Sequence, residues 1–262
     1  MPSALPRACV CPSQIRAYIV KKGVVAVDEL GLFEAMQTQL SARGYTDEPV
    51  SDEQIARILE AATWAPNATN RQLWEFIVVR DPDVKKQVAA LYRKSFMLLA
   101  DSLPANSKDV TTPETSGDPT MSKEGETAYQ QEADPRTQPK TMLRWSVNLA
   151  DTMQDVPVLI VVGYDRAGMP YSWDGTFKAF TEETVYTGVM PAIQNLMLAA
   201  RGVGLGTCLT TVANIFEGKM KEALGVPDSV QLVALLPLGH PTRPFTPRKR
   251  IPWQEKVHYD RW

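Results

Sequence analysis

Three stretches of this 262-residue sequence carry residue types at spacings that could do chemistry. The first is Ala65-Pro66-Asn67-Ala68-Thr69-Asn70-Arg71-Gln72-Leu73-Trp74, which crowds side-chain amides and a hydroxyl between two predicted elements. An amide donates and accepts at once, which suits a heteroaromatic edge of alternating carbonyls and N–H such as the pyrimidine edge of a flavin. Asn also tolerates turn geometry, so the stretch reads equally as a plain turn. The second runs Arg243-Pro-Phe-Thr-Pro-Arg248-Lys249-Arg250-Ile-Pro252 and places four cations within eight positions. A terminal phosphate asks for such a fork of charged donors, and interleaved prolines hold the side chains along an extended path. A solvated basic tail has the same composition. The third, Gly202-Val203-Gly204-Leu205-Gly206, has the alternating glycines of a dinucleotide fingerprint, but that fingerprint needs a strand before it and a helix after it. A long helix is predicted ahead of these glycines, so they read as a helix cap and turn.

Other chemistries lack their residues. With only His240 and His258, neither near a cysteine or carboxylate at ligand spacing, a zinc site is unsupported, and so is a triad with a histidine base. Three cysteines do not make a disulfide framework; Cys9, Cys11 and Cys208 read as reduced thiols without a role. A formal net charge of -2 leaves no basic field for phosphate-backbone binding, which argues against nucleic acid. The longest apolar run, Val156 to Tyr164, is interrupted by Pro157 and Gly163 and falls far short of the roughly 20 residues of a membrane helix. No continuous apolar stretch of the signal-peptide kind separates Arg7, Arg16, Lys21 and Lys22, so a cytoplasmic location is expected.

The elements that must position these stretches follow from periodicity. With 44% hydrophobic and 22% charged residues the chain has material for a sizeable core, read as one domain over 27–262 after an N-terminal extension, 1–26. Val27, Leu30, Phe33, Met36 and Leu40 recur at helical steps and predict an amphipathic helix ending near Gly44. Ser51 with Gln54 three residues on is a capping box, and Ile55, Ile58, Leu59 and Ala62 give the following helix its apolar face up to Pro66. Trp74 to Val79 reads as a strand, leading into a helix from about Asp83 to Leu99. From about 101 to 139 the chain is polar and nearly free of apolar residues, either a mobile flap over a site or a disordered insertion. Beyond it are a helix around Met142 to Met153, a buried strand Val156 to Val162 and a long central helix from about Glu182 to Ala200. A short helix with Phe216, Met220 and Leu224 stops at Gly225 and Pro227, and Val230 to Leu238 is a second buried strand. Many helices around three or four strands make a mixed α and β architecture, with the fold class left open by pattern alone.

Taken in order, the segment Thr38-Gln39-Leu40-Ser41-Ala42-Arg43-Gly44-Tyr45-Thr46-Asp47-Glu48-Pro49-Val50, the amide stretch, the Gly204-Leu205-Gly206-Thr207-Cys208 turn and the closing basic segment resemble the nitroreductase family. The likeness spans roughly Phe33 to the C-terminus without the polar insertion. It implies an α+β nitroreductase-like fold, a small mixed sheet flanked by helices, in an intertwined homodimer with an FMN at each subunit boundary. It implies FMN-dependent, ping-pong hydride transfer from NAD(P)H through flavin N5 to a nitroaromatic, quinone or related electron-poor acceptor, with no catalytic protein nucleophile and no metal. Dehalogenation, enone reduction, flavin fragmentation, or flavin binding and sensing with little turnover are the alternatives within the same fold.

The resemblance also assigns residues. Ser41 would donate on the phosphate side of FMN, Arg43 would lie beside the pyrimidine as a fixed cation, and Asn70 would bond the pyrimidine edge. Pro66, Asn67 and Ala68 would meet the cofactor from the partner subunit. Backbone groups of Leu209, Thr210 and Thr211 would approach N5, and Arg248 and Arg250 would clamp the phosphate. The chain departs from the family pattern where Gln39 and Leu40 stand in place of a basic pair, where Asn67 and Leu73 replace a Ser and a Pro, and where Thr211-Val212 replaces a glycine-bearing pair.

Overall fold

The computed structural model describes residues 30–102, 140–169 and 178–262. The expected N-terminal extension, Cys9, Cys11, Val27 and the polar segment beyond Ser102 lie outside the described residues. The main elements in chain order are α1 (Leu32–Thr38), α2 (Asp52–Thr63), β1 (Trp74–Val79), α3 (Pro82–Asp101), α4 (Lys140–Thr152), β2 (Val158–Asp165), α5 (Lys178–Gly202), β3 (Gly206–Thr207), α6 (Glu217–Leu224) and β4 (Val230–Gly239).

The sheet is ordered β1-β2-β4-β3 with antiparallel ladders between all neighbours. Its parallel component is confined to the isolated bridge between Ser41 and Thr207. β2 lies inside, and its alternating side chains build two cores. Val158, Ile160, Val162 and Tyr164 face Ile55, Ile58 and Ala62 of α2 and Val189, Ile193 and Leu196 of α5. Leu159 and Val161 face Val88, Tyr92 and Phe96 of α3 together with Leu149 and Ala150 of α4. A strand buried on both faces loses the polar alternation of a half-exposed strand, which is why Val158 to Val162 reads as one apolar run. The register shifts between Val162 and Gly163, and on β4 Val233 and Ala234 consequently share one face while Leu232 and Leu235 share the other. That is the signature of a β-bulge. Gly163 is required there, since a Cβ would lie 2.8 Å from the Gln231 carbonyl oxygen.

Local chemistry accounts for the helix ends. The Ser51 hydroxyl accepts from Gln54 N at 3.2 Å, and the Gln54 side chain accepts from Ser51 N at 3.0 Å, completing the capping box. Asp81 accepts from Asp83 N and Val84 N with Pro82 at the first turn of α3, so this helix starts one residue before the sequence suggests. At the end of α5 the N–H groups of Val203, Gly204 and Leu205 bond back to Ala199, Arg201 and Ala200, and Gly204 has φ 81°. The glycine-rich segment is therefore a helix cap and turn, as its position after a helix requires. Gly225 closes α6 at φ 66°.

One expectation is corrected. α1 is seven residues long, and its buried side chains are Ala35 and Thr38, whereas Phe33 and Met36 of the anticipated inner stripe are 84% and 50% exposed. Small residues let this short helix approach α5 closely, and the apolar stripe points outward in the single chain. β3, only two residues long, has no periodicity for sequence reading to detect; it exists because Gly206 and Thr207 pair with Gly239 and Leu238. Among the described residues no helix is long and apolar enough to cross a membrane.

Candidate active site

The edge of the sheet at β3 gathers residues that the sequence keeps far apart. Ser41 pairs with Thr207, Ala42 N donates to Thr207 O at 2.9 Å, and Tyr45 bridges to Pro241. The segment 41–46 is thus laced between β3 and the start of the C-terminal tail, with Thr46 N bonded to His240 O and Thr242 N bonded to Gly44 O. From α4, Asn148 Nδ2 donates to the Arg43 carbonyl at 2.9 Å and holds the backbone under that guanidinium.

The cations converge on this edge. Arg248 is partly buried, and its pKa is lowered first by desolvation and then by the guanidiniums of Arg43, Arg250 and Arg243. Among the described residues, none of Arg43, Arg248 and Arg250 has a carboxylate within salt-bridge distance. Cations gathered without counter-charges repel one another, and an anion bearing several acceptor oxygens relieves that repulsion. Arg243 joins this cluster in space, an arrangement the sequence reading did not assign.

Beneath the cations lies Cys208, 3% exposed. Burial pushes its thiol pKa up, and the Arg43 charge and a hydrogen bond with Ser41 offset part of that. The Tyr45 hydroxyl donates to Ala42 O at 2.7 Å and lies 3.3 Å from Pro237 O; its pKa is raised chiefly by burial. Tyr92 of α3 is likewise raised by burial and hydrogen-bonds the Thr210 side chain. Cys208, Tyr92 and Asn148 were not foreseen as supports, because α3 and α4 reach this edge only through the second core.

The protonated thiol has a measurable consequence. In the folded protein, Cys208→Ser is expected to leave the number of thiols reacting with a disulfide reagent at about pH 8 unchanged, and a count lower by one would show the thiol accessible. Because the fold raises the pKa of Cys208, its stabilising contribution is fully present below the ordinary thiol value of about 8.5 and is lost as the pH rises past it. Denaturant unfolding of both proteins across that range checks the sign.

Thr210 is pinned to β4. Its N–H donates to Leu235 O at 3.0 Å and its carbonyl accepts from Leu235 N at 2.8 Å, so its backbone is consumed by β4. Among the described residues the N–H groups of Leu209 and Thr211 have no acceptor, and Thr211 is exposed. The segment 209–211 thus presents two N–H donors flanking a residue pinned to β4.

The amide stretch lies elsewhere. Asn67 Oδ1 accepts from Gln72 N at 2.8 Å, Arg71 Nη1 donates to Gly168 O at 3.0 Å, and the Asn67 Cβ sits so near α5 that a Cβ on Gly188 would lie 3.0 Å from it. Thr69, Asn70 and Gln72 all have φ near 53–54°, a left-handed conformation that is costly for Thr and Gln. Pro66, Ala68 and Asn70 are exposed and Asn67 is partly buried. This loop enters β1 at Trp74, which pairs with Tyr164, whereas Thr207 sits opposite Leu238, the partner of Val158. Three strand spacings and the six-residue rise along β2 put the two regions about 14 Å apart across the sheet and about 20 Å apart along it. Within one chain they occupy opposite corners. Among the described residues no group of His, Cys, Asp and Glu is placed to hold a metal ion.

Comparison with known proteins agrees with this architecture. Residues 38–240 match the model of the Nitroreductase family. The chain is 25% identical over 217 residues to rat iodotyrosine deiodinase 1, a match covering 82% of this chain but only 63% of that protein. It is 25% identical over 209 residues to the nitrobenzene nitroreductase of Ectopseudomonas oleovorans, covering 79% and 85% of the two. A crystal structure of oxidised iodotyrosine deiodinase bound to FMN and 3-iodo-L-tyrosine superposes with a TM-score of 0.60 at 18% identity, over 88% of this chain and all of that one, which shows a shared fold. With its helices packed on both faces of a four-stranded sheet and the family match running through α2, the central helix and β4, the chain belongs to the nitroreductase family of flavin-using oxidoreductases.

Proposed function

We propose that the protein is a cytoplasmic FMN-dependent oxidoreductase that takes hydride from NAD(P)H and delivers it to a nitroaromatic, quinone or similar electron-poor acceptor, acting as a homodimer. The observation that carries this reading is the cluster of Arg43, Arg248 and Arg250 beside Ser41, with no carboxylate within salt-bridge distance among the described residues, which fits a terminal phosphate. FMN, when bound, supplies the hydride chemistry that no side chain here offers. Arg248, Arg250 and the Ser41 hydroxyl would hold its phosphate, and Arg43 would place a fixed positive charge toward the pyrimidine. The N–H groups of Leu209 and Thr211 would face N5, aligned by the pinned backbone of Thr210. The exposed side chain of the partner's Asn70, on the same loop as Pro66, Asn67 and Ala68, would serve the pyrimidine edge.

The corner-to-corner separation supports the dimer. Pro66, Asn67 and Ala68 of one chain lie too far from its own cradle to share one flavin ring, and a second copy would bring its loop there. The exposed Leu32 and Phe33 of α1 offer apolar area for such a partner.

The test is to purify the protein, identify the bound chromophore, add NADPH without oxygen and then supply acceptors, with sedimentation to read the assembly. FMN near one per chain, bleached by NADPH and restored repeatedly by a nitroaromatic or quinone, in a dimer, is the expected result. A colourless protein that refuses added FMN, or a monomer that binds it fully, defeats the reading. Sequence likeness to iodotyrosine deiodinase favours a second chemistry, reductive dehalogenation, so 3-iodo-L-tyrosine belongs among the acceptors.

A further inference from the structure

Arg201 is a cation that the cradle itself does not use. It stands near the C-terminal end of α5 and is 9% exposed. Burying a guanidinium is costly unless its donors and its face find partners, so its contacts have to be accounted for. Nε donates to Thr38 Oγ1 at 2.9 Å, while the Thr38 hydroxyl spends its own proton on Glu34 O at 2.7 Å. The guanidinium carbon lies 3.9 Å from the centroid of the Phe245 ring, a cation–π stack. Thr38 ends α1 three residues before Ser41, and Phe245 stands three residues before Arg248. One buried side chain therefore touches both separate segments just ahead of the residues that form the anion cradle.

We infer that Arg201 is a positioning residue for the phosphate end of the cofactor site: its in-plane bond to Thr38 and its stack on Phe245 set Ser41 and Arg43 at a fixed offset from Arg248 and Arg250. This rests on the reading of the cradle as a phosphate site. A positive charge near the end of α5 also favours the helix dipole, but that needs only a charge. Lys would keep the charge and lose both the flat face and the in-plane Nε donor, so the two roles separate experimentally. Beyond Thr242, whose N–H still bonds to Gly44 O, no backbone pairing among the described residues fixes the path of the tail toward Arg248, which gives the Phe245 stack its importance.

The experiment measures FMN and riboflavin dissociation constants and thermal stability for the wild type, Arg201→Lys and the milder Phe245→Leu. Riboflavin shares the ring system and lacks the phosphate. Both variants are expected to lose about tenfold in FMN affinity with riboflavin affinity nearly unchanged, the scale typical of loosening the shell that supports a binding group. The double variant should be little worse than either single one, since both break the same link. An FMN-to-riboflavin ratio equal to wild type in both variants, whatever happens to thermal stability, overturns the inference and leaves Arg201 a structural contact. Equal affinities for the two flavins in the wild type would overturn the phosphate reading and this inference with it. A wild type that discriminates beside variants that do not lose discrimination would remove the inference alone.

Discussion

Replacing Arg248 with Ala is expected to weaken FMN binding by roughly 10- to 100-fold while riboflavin binding stays near the wild-type level, because a charge-assisted hydrogen bond is worth about 1.5–3 kcal/mol and each 1.4 kcal/mol is a factor of ten. The same change should raise the melting temperature of the flavin-free protein. Arg248 is held in its charged form against desolvation and against Arg43, Arg250 and Arg243, which is why its pKa lies below the ordinary value. A base whose charged form is disfavoured by the fold destabilises that fold, so removing it relieves the apo-protein and costs the holo-protein its anchor. Binding residues commonly trade stability for function in this way. Titration with both flavins and thermal melts with and without FMN read the two effects. If FMN and riboflavin affinities fall together, Arg248 supports the ring site or the fold and the phosphate assignment fails.

The second large effect is steric. Gly206→Ala is expected to destabilise the protein by about 2–3 kcal/mol and lower its melting temperature by roughly 5–10 °C, the range for forcing a methyl group into packed backbone in a chain of this size. A Cβ at this position would stand 2.7 Å from the Ala42 Cβ and 3.2 Å from the Pro241 Cβ. Both neighbours are themselves anchored, Ala42 by its bond to Thr207 and the Pro241 segment by its bridge to Tyr45, so neither can yield cheaply. The wedge would part the segment carrying Ser41 and Arg43 from the tail carrying Arg248, and FMN affinity should fall along with stability. Gly218→Ala is the control. Nothing lies within 4 Å of a Cβ there, and in α6 the change should be neutral or stabilising by up to about 1 kcal/mol. Equal melting temperatures for the two variants would mean that the three segments at Gly206 are free to separate.

Much of the chain's local structure is written in short-range patterns. β1 falls on Trp74 to Val79 as its aromatic and β-branched run predicts, the Ser51–Gln54 box opens α2, and Gly225 closes α6. These features depend on hydrogen bonds and backbone preferences within a few residues, so a linear reading detects them. The motif order from Ser41 through Asn70 and Cys208 to Arg250 is likewise a property of the sequence, and it sufficed to identify the family. Tertiary structure decided what lies beside what. It set the outward face of α1, burying Ala35 and Thr38 on the side where this helix meets α5. It consumed the backbone of Thr210 in a bridge to β4, and it drew Arg243 into a cluster with Arg43 across nearly the whole described chain. It also placed the amide loop and the cradle at opposite corners of the sheet. The order β1-β2-β4-β3 arises from burying both faces of β2 between two helical layers, a long-range requirement for covering apolar surface that no local spacing encodes.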